Sequence, residues 1–457
     1  MKKHSQTRSS FSGKIGFVLS AAGASVGLGN IWRFPYLAAK YGGGIFLLIY
    51  ILLALTFGYT MIVAETAIGR MTKKSPVGAF HKFGSSKWLS FGGWINAIIP
   101  LLIVPYYSVI GGWVIKYLLG YIQGNSQLLA QDGYFTDFIS NGVSTELCFL
   151  AFALFTIIII YAGVRNGIER VSKFMMPILV VLSIVITIYS VTRPGALAGV
   201  KYFLVPNVKN FSWMTVVAAM GQMFYSLSIA MGILITFGSY MKEDVSIENA
   251  TENVEIFDTA IAIMAGLMII PAVFAFSGGD PEALQAGPSL MFITIPKMFA
   301  SMGFSTGIGI LFFLLVLFAA VTSSIALTES AVSTFEDELG WHRKKATVIV
   351  GIIIVILGSL SSLGYGPLAG IKLIGMQFLD FFDFLTNSVM MPIAAIATCL
   401  LVSRVAGIAA IEEEVLKGES RFRRKKIFCF MIQYLCPIFA AIILISSIAN
   451  AFGWISI

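Results

Sequence analysis

Long stretches without a charged side chain are the feature that most constrains the fold of this 457-residue chain. A helix that spans the hydrocarbon core of a bilayer needs about 20 mostly apolar residues. Runs of roughly that length recur along the whole sequence, each bounded by charge or by a polar loop. There are eleven, at 15–32, 45–64, 88–115, 147–164, 174–192, 211–241, 259–279, 298–328, 346–371, 384–403 and 427–457.

Composition and periodicity favour membrane helices over the alternatives. The chain is 57% hydrophobic and only 12% charged, whereas a soluble protein carries about 25% charged residues. None of the runs alternates as the strands of a membrane barrel do, and only helices or closed barrels satisfy their backbone in lipid. The sequence therefore predicts an all-α polytopic membrane protein with eleven transmembrane helices.

The distribution of positive charge predicts the orientation. If the N-terminus is inside and every run crosses, most of the 31 Lys and Arg residues fall on the cytoplasmic side, as the positive-inside rule requires. They are scattered over several loops, which argues against a nucleic-acid partner. The longest cytoplasmic loop, 404–426, is interpreted as a solvated segment that anchors the last helix at anionic lipid. The outer segment 277–297 contains three prolines and is interpreted as a lid.

Two runs are interrupted in corresponding positions. The first is broken near its middle at Gly27-Leu28-Gly29, and the sixth at Tyr225-Ser226-Leu227-Ser228. Paired breaks at the start of two groups of five helices are typical of inverted-repeat transporters, whose site lies at the midplane. Gly and Ser that simply permit close helix packing are the alternative. We expect a single transporter domain over 1–457, with repeats over 1–190 and 211–403 and a final helix over 427–457.

An unwound helix frees carbonyl oxygens that a sodium ion can use. Asp258, which opens the seventh run, could add a fixed negative charge, although it could also be an interfacial carboxylate. Glu65 is interpreted as structural support. The oxygen donors predicted on this basis are the carbonyls near Gly23, Ser25 and Val26, the Asn30 side chain, and the hydroxyls of Thr322, Ser323 and Ser324.

Arg33 lies about one turn beyond the first break. A lone Arg inside the membrane is costly, by about 2.5–3.5 kcal/mol on insertion scales, so it should face a cavity or a partner. Asp380 and Asp383 are the available carboxylates. Such a pair could open and close a pathway, or it could be a static salt bridge.

The break also constrains the ligand. Helix N-termini favour an anionic group, and no acidic residue stands at Ser25, Gly27 or Gly29 to bind a ligand amine. A ligand that brings its own carboxylate is therefore favoured, and its ammonium can be met by carbonyls and hydroxyls. This combination points to a zwitterionic amino acid.

The stretch from Gly23 to Tyr36, followed by Gly42-Gly43-Gly44, strongly resembles helix 1 of the neurotransmitter:sodium symporter family. Tyr106-Tyr107, Gly221-Gln222 through Ser228, Thr322-Ser323-Ser324 and Glu336-Asp337-Glu338-Leu339 are further matches, which extend over essentially the whole chain. The chain is most similar to bacterial eleven-helix members that take hydrophobic and aromatic amino acids. The resemblance implies sodium-coupled import by alternating access in a bacterial inner membrane, with two sodium ions, no organic cofactor and no requirement for an oligomer.

The resemblance also implies roles for particular residues, by matching motif. Sodium site 1 would use Ser25, Asn30, Ser226 and Asp258, together with the substrate carboxylate. Sodium site 2 would use Gly23, Val26, Ala319, Thr322 and Ser323. The substrate would contact Ser25, Gly27, Gly29, Ile103, Tyr107, Tyr225, Ser226, Ser228, Met231, Ser323 and Leu327. Arg33 with Asp383 would close the outside, and Arg8 with Asp337 the inside, near Phe11 and Tyr240. Gly167 and Pro177 would let the fifth helix unwind.

Three positions depart from the family pattern. Asp258 stands where the family often has Asn, which implies that transport is independent of chloride. Tyr225 and Met231 each stand where Phe is common. Because Met is unbranched and adaptable, a roomy pocket for several large apolar side chains is expected.

Other functions are weighed against this interpretation. Proton-coupled amino-acid exchange would keep uptake without sodium. A sodium-dependent amino-acid sensor would bind substrate without accumulating it. An enzyme is disfavoured, because His4, His81 and His342 lie in cytoplasmic segments and no nucleophile with a neighbouring base is evident.

Overall fold

The computed structural model describes residues 9–278 and 288–454, and they are almost entirely helical. Within those ranges the only β pairing is an isolated bridge between Leu373 and Met376. The predicted all-α fold is therefore confirmed.

Nine helices in the described residues are long and apolar enough to cross a membrane. They are α2 (Gly44–Thr72), α3 (Lys87–Ile122), α4 (Gly142–Tyr161), α5 (Val164–Val191), α7 (Ile247–Ser277), α8 (Ser305–Leu339), α9 (Arg343–Leu363), α10 (Phe378–Ala406) and α11 (Lys425–Ala451). The two remaining apolar runs form broken pairs. These are α1a (Lys14–Ser25) with α1b (Gly29–Lys40), and α6a (Trp213–Ser226) with α6b (Ile233–Ser239).

Two glycines at the first break are closely surrounded by side chains of other helices. The axes of α1a and α1b differ by 52°. A Cβ atom on Gly27 would lie 2.7 Å from the Ser323 hydroxyl, and one on Gly29 would lie 2.5 Å from the Tyr225 ring. Glycine is thus required here for close approach, and the break predicted at Gly27-Leu28-Gly29 lies where α1a and α1b separate.

The second break lies slightly later than predicted. The helix continues through Tyr225 and Ser226, and the backbone then takes left-handed conformations at Ser228 (φ 53°), Ala230 (φ 58°) and Gly232 (φ 68°). Such conformations are rare for residues with a side chain. The buried Glu65 carboxylate stabilises this segment, because the Ala230 N–H donates to it at 2.8 Å.

The two broken helices lie at the centre of the molecule. The α1a half packs against α5, α7 and α8, while α6a and α6b pack along α2. Helices α3 and α8 also pack against each other, and Tyr107 of α3 and Ser323 of α8 lie beside Gly27 at the first break. Side chains from α3 and α8 therefore face the unwound backbone of α1 and α6.

The loop 404–426 is not simply solvated, as the sequence had suggested. It contains a helix, Ile408–Leu416, whose Glu414 bonds the fully buried Arg70 of α2 at 2.6 Å. Arg70 also donates to the Val245 carbonyl at 2.6 Å. A hydrogen bond from Lys417 to Glu414 raises the pKa of that ammonium above its usual value. The loop was misjudged because one of its three consecutive glutamates turns inward to a buried arginine.

Replacing Glu414 by Gln should lower the free energy of unfolding by about 3–5 kcal/mol, because a buried Arg70 would lose its counter-ion. Melting of the purified variant, followed by fluorescence, measures the change. Glu413→Gln is the matched control, since Glu413 is exposed. Equal melting temperatures for the two variants would show that the Arg70 contact contributes nothing.

Candidate functional site

A cavity of about 360 Å³ lies between the two unwound segments. All eleven residues predicted to contact a substrate line it, and Ala24, Leu28, Asn30 and Ile233 complete its wall. Its polar groups come from all four helices and are Ser25, Asn30, Tyr107, Ser226, Ser228, Ser323 and Tyr225. Its apolar groups include Ile103 from α3, Leu327 from α8 and Met231 from the α6 break. No acidic side chain is among the lining residues.

Tyr107 lies at the N-terminal end of α1b. Its hydroxyl accepts a hydrogen bond from the Leu28 N–H at 3.3 Å. A helix begins with N–H groups that have no partner within the helix. This end of the cavity therefore presents hydrogen-bond donors and the positive end of a helix dipole.

Asp258 on α7 is fully buried beside the first break. Its carboxylate accepts hydrogen bonds from Asn30 (2.8 Å), Ser226 (2.8 Å) and Tyr50 (2.6 Å). No Lys or Arg among the described residues forms an ion pair with it. A buried carboxylate without a cationic partner is expensive unless another charge neutralises it, so this cluster suits a bound cation.

Tyr50 is a member of this cluster that the sequence interpretation missed. It lies within an uncharged run of α2, and its hydroxyl contacts both Asp258 and Ser226. A phenol in such a run, which also contains Tyr59, was the available signal. Gln222 was noted only as part of a matching motif, yet its amide donates to the Gly29 carbonyl at 3.0 Å.

A second cluster of oxygens lies where α8 meets the end of α1a. The Ser323 hydroxyl is 3.2 Å from the Gly23 carbonyl and 3.4 Å from that of Val26. The Thr322 hydroxyl is 3.1 Å from the Ala319 carbonyl. The structure thus brings Ser323 to Gly23 and Val26, and Thr322 close to Gly23, while Thr322 bonds to the Ala319 carbonyl of its own helix. The Ala24 carbonyl, 3.1 Å from the Ser323 hydroxyl, was not predicted.

Arg33 and Asp383 line a second cavity, of about 390 Å³, beyond Tyr225. They do not form an ion pair with each other. The Arg33 guanidinium lies 5.4 Å from the Tyr225 ring centroid, while Asp383 accepts hydrogen bonds from Asn387 (2.6 Å) and Tyr106 (3.2 Å). Asp380, the alternative partner, accepts from Tyr365 at 3.1 Å.

A polar cluster lies on the side of the molecule that the positive charges predict to be cytoplasmic. Arg8 lies outside the described residues, and Asp337 accepts from the Ser75 N–H at 2.6 Å. The sequence interpretation missed Glu329 on α8. Glu329 accepts from the two terminal guanidinium nitrogens of Arg343 (2.5 and 2.9 Å) and from the Tyr240 hydroxyl at 2.6 Å.

Helix α5 begins with a widened π-helical turn, Val164–Glu169. Gly167 in that turn lies so close to α4 that a Cβ atom would be 2.1 Å from the Ile159 carbonyl. Pro177 lies within the helix further on. Ser12 just before α1a donates its N–H to Glu169 at 2.9 Å, so the start of α5 is tied to the segment before α1a.

The fold, with its two broken helices, is that of a sodium symporter. Residues 8–130 and 135–453 match the profile of the sodium:neurotransmitter symporter family. The chain belongs to this family, as the motif had indicated, and it is a multi-pass membrane transporter.

Individual relatives agree along the whole chain. The sodium-dependent transporter YhdH of Bacillus subtilis is 34% identical over 446 residues, 97% of each chain. A sodium-dependent transporter of Haemophilus influenzae is 30% identical and covers 98% of this chain and 100% of its own. The crystal structure of MhsT in complex with L-phenylalanine has 35% identity and a TM-score of 0.86, covering 96% of this chain and 100% of that one.

Proposed function

We propose that this protein imports neutral hydrophobic and aromatic L-amino acids together with sodium, by alternating access. The observation that carries the proposal is the cavity between the two breaks. One end of the cavity presents the N–H donors at the start of α1b, and its other end is apolar. The Asp258 carboxylate, which has no cationic partner among the described residues, lies beside the cavity. MhsT, a relative of known structure, has been crystallised with L-phenylalanine.

The substrate carboxylate would lie at the start of α1b. There it would accept hydrogen bonds from the Tyr107 hydroxyl and from N–H groups near Leu28 and Gly29. Freed carbonyls of the unwound segments would hold the ammonium group, since no acidic side chain among the described residues lines the cavity. This arrangement favours an amino acid over a simple amine.

The apolar end of the cavity sets the range of side chains. Ile103, Met231, Ile233 and Leu327 form that end, and Tyr225 covers the cavity on the side of Arg33. With no charged group among them, they favour apolar substrates. The flexible Met231 side chain can accommodate substrates of different size.

Sodium at site 1 would lie among the Ser25 carbonyl, Asn30, Ser226 and Asp258. Asn30 currently turns its amide nitrogen toward Asp258, so the amide would rotate to offer its oxygen. Sodium at site 2 would replace the hydrogen bonds that Ser323 and Thr322 now make to carbonyls. Asp258 would supply the negative charge that other family members take from chloride.

Alternating access would use two gates formed by polar side chains, one on the outer side and one on the inner side. In this structure Arg33 and Asp383 share a cavity without a direct bond, which suits an outer gate that tightens when substrate is bound. Arg8 with Asp337 would form the inner gate, backed by the Glu329 and Arg343 pair. We further propose that the chain crosses a bacterial inner membrane eleven times, with its N-terminus inside. The two repeats would extend over 1–190 and 211–403.

A competition panel tests the substrate class. Purified protein in proteoliposomes takes up labelled phenylalanine with sodium outside, and each of the twenty amino acids is added in excess. Leucine, tryptophan, tyrosine, methionine and isoleucine should inhibit strongly, whereas aspartate, lysine and glycine should not. Inhibition by charged residues alone would contradict the proposed pocket.

Replacing Met231 by Phe should narrow the specificity. A rigid ring in place of the flexible thioether overpacks the apolar end, which costs about 1–3 kcal/mol for the largest ligands. The inhibition constant of tryptophan should therefore rise about tenfold, while that of leucine stays within about twofold. Equal changes for both substrates would show that Met231 does not set the size of the pocket.

A further inference from the structure

A polar pocket of about 310 Å³ lies between α10 and α11, apart from the transport pathway. We call it the α10–α11 pocket, and it is lined by Ser403, Arg404, Gln433 and Tyr434. Arg404 lies two residues before the end of α10, and Gln433 lies eight residues into α11. At 1.5 Å per residue, the pocket is within about 12 Å of the helix ends that residues 407–424 connect.

Both helices change geometry at this pocket. The lining residues of α10 belong to a π-helical turn, Leu401–Ala406, and those of α11 to another, Met431–Leu435. These two turns pack against each other. The described residues contain seven π-helical turns, and these two flank the pocket from neighbouring helices. Two of them side by side widen the space between the helices where the polar side chains stand.

The polar side chains of the pocket are unused. None of the four donates or accepts a side-chain hydrogen bond with another described residue, and Arg404 has no ion pair within that part of the chain. The neighbouring Arg423 and Arg424 are already bound to acidic residues of α7. Arg404 is thus a guanidinium available for an anion, beside a hydroxyl, an amide and a phenol that can also donate.

The surroundings of the pocket are apolar and face lipid. Leu400, Val405, Phe430 and Tyr434 are about half exposed at its rim, and the Phe430 and Tyr434 rings are 5.9 Å apart. An anion dissolved in water gains no binding energy from these apolar side chains, whereas the acyl chains of a lipid would pack against them. Phosphate is bound well by Arg together with neutral donors, and basic pockets between helices on the cytoplasmic side bind anionic headgroups.

We propose that the α10–α11 pocket binds the phosphodiester of an anionic glycerophospholipid of the cytoplasmic leaflet. Arg404 contacts the phosphate oxygens, Ser403, Gln433 and Tyr434 donate to the phosphate or the headgroup, and the acyl chains lie along Phe430 and Val405. This inference uses the membrane orientation proposed above but not the substrate or the coupling ion.

Lipid titration of the purified protein, followed by native mass spectrometry, tests the proposal. The parent should retain phosphatidylglycerol, and Arg404→Gln should weaken that binding at least about tenfold, as expected for loss of hydrogen bonds to a charged group. Arg421→Gln is the matched control, because Arg421 is an exposed arginine of the adjacent loop, and its binding should stay within about twofold of the parent. Phosphatidylcholine, whose choline ammonium offsets its phosphate charge, should bind the parent more weakly than phosphatidylglycerol does.

Two results would overturn the proposal. One is phosphatidylglycerol bound equally by the parent and by Arg404→Gln. The other is inorganic phosphate raising the melting temperature of the parent but not of Arg404→Gln, which would make the occupant a free anion. If Arg404→Gln does not fold, the double variant Ser403→Ala with Tyr434→Phe provides the test. It should weaken phosphatidylglycerol binding at least about threefold, and unchanged binding would again contradict the assignment.

Discussion

Asp258→Asn should abolish sodium-driven uptake at ordinary sodium concentrations. The carboxylate is fully buried and has no cationic partner among the described residues, so the ion would lose its only fixed counter-charge. For a charge about 4 Å away in an effective dielectric of about 20, that interaction is on the order of 4 kcal/mol, or roughly a thousandfold in sodium affinity. The measurement is phenylalanine uptake by proteoliposomes as a function of external sodium.

Replacing chloride in the uptake assay tests whether Asp258 supplies the negative charge, and a control variant tests whether a substitution simply damages the protein. Uptake by the parent should be unchanged when gluconate replaces chloride. Asp380→Asn is the matched control, because Asp380 is exposed and hydrogen-bonded only to Tyr365 among the described residues. If the Asp258→Asn protein keeps its melting temperature and its uptake depends on sodium as that of the parent does, then Asp258 is not part of the ion site. Parental transport that requires chloride would contradict the charge-substitution argument.

Gly27→Ala should lower substrate affinity by about one to two orders of magnitude. The new methyl group would lie 2.7 Å from the Ser323 hydroxyl and 3.1 Å from that of Tyr107. Overpacking of this kind costs about 1–3 kcal/mol, and the methyl would also take the space proposed for the substrate carboxylate. Equilibrium binding of labelled phenylalanine in detergent with sodium measures the loss.

Gly221→Ala is the matched control for Gly27→Ala. Gly221 belongs to α6a, and a Cβ atom there would meet nothing within 4 Å. Its binding should stay within about twofold of the parent. If Gly27→Ala also binds phenylalanine as the parent does, then the substrate carboxylate does not lie at the first break.

Much of the fold could be predicted because membrane helices satisfy their own backbone and therefore leave long apolar runs in the sequence. The first break was equally visible, since glycines at 27 and 29 stand beside Asn30 and Arg33. The exact limits of the second break could not be predicted, because Ser228 and Ala230 take left-handed conformations that are accompanied by tertiary contacts. Ser228 donates to the Ala24 carbonyl, and Ala230 donates to Glu65.

Residues that act through tertiary contacts were harder to predict. Tyr50 contacts Asp258, and Glu329 contacts Tyr240, although the two partners in each pair are far apart in sequence. No local sequence pattern predicts these contacts. The Glu414 side chain illustrates the same limit, since its two glutamate neighbours in sequence do not reach Arg70. In contrast, Ser323 and Thr322 were found from hydroxyls on consecutive residues of an apolar run. The structure brings the Ser323 hydroxyl to the carbonyls of Gly23 and Val26, while Thr322 bonds to the Ala319 carbonyl of its own helix.

The most direct test of sodium symport is concentrative uptake of labelled phenylalanine into proteoliposomes that contain potassium inside. An inward sodium gradient should drive accumulation above the external concentration, and potassium outside should not. Binding without accumulation would indicate a sensor. Equal accumulation with sodium replaced by an inward proton gradient would contradict sodium coupling and favour proton-coupled exchange.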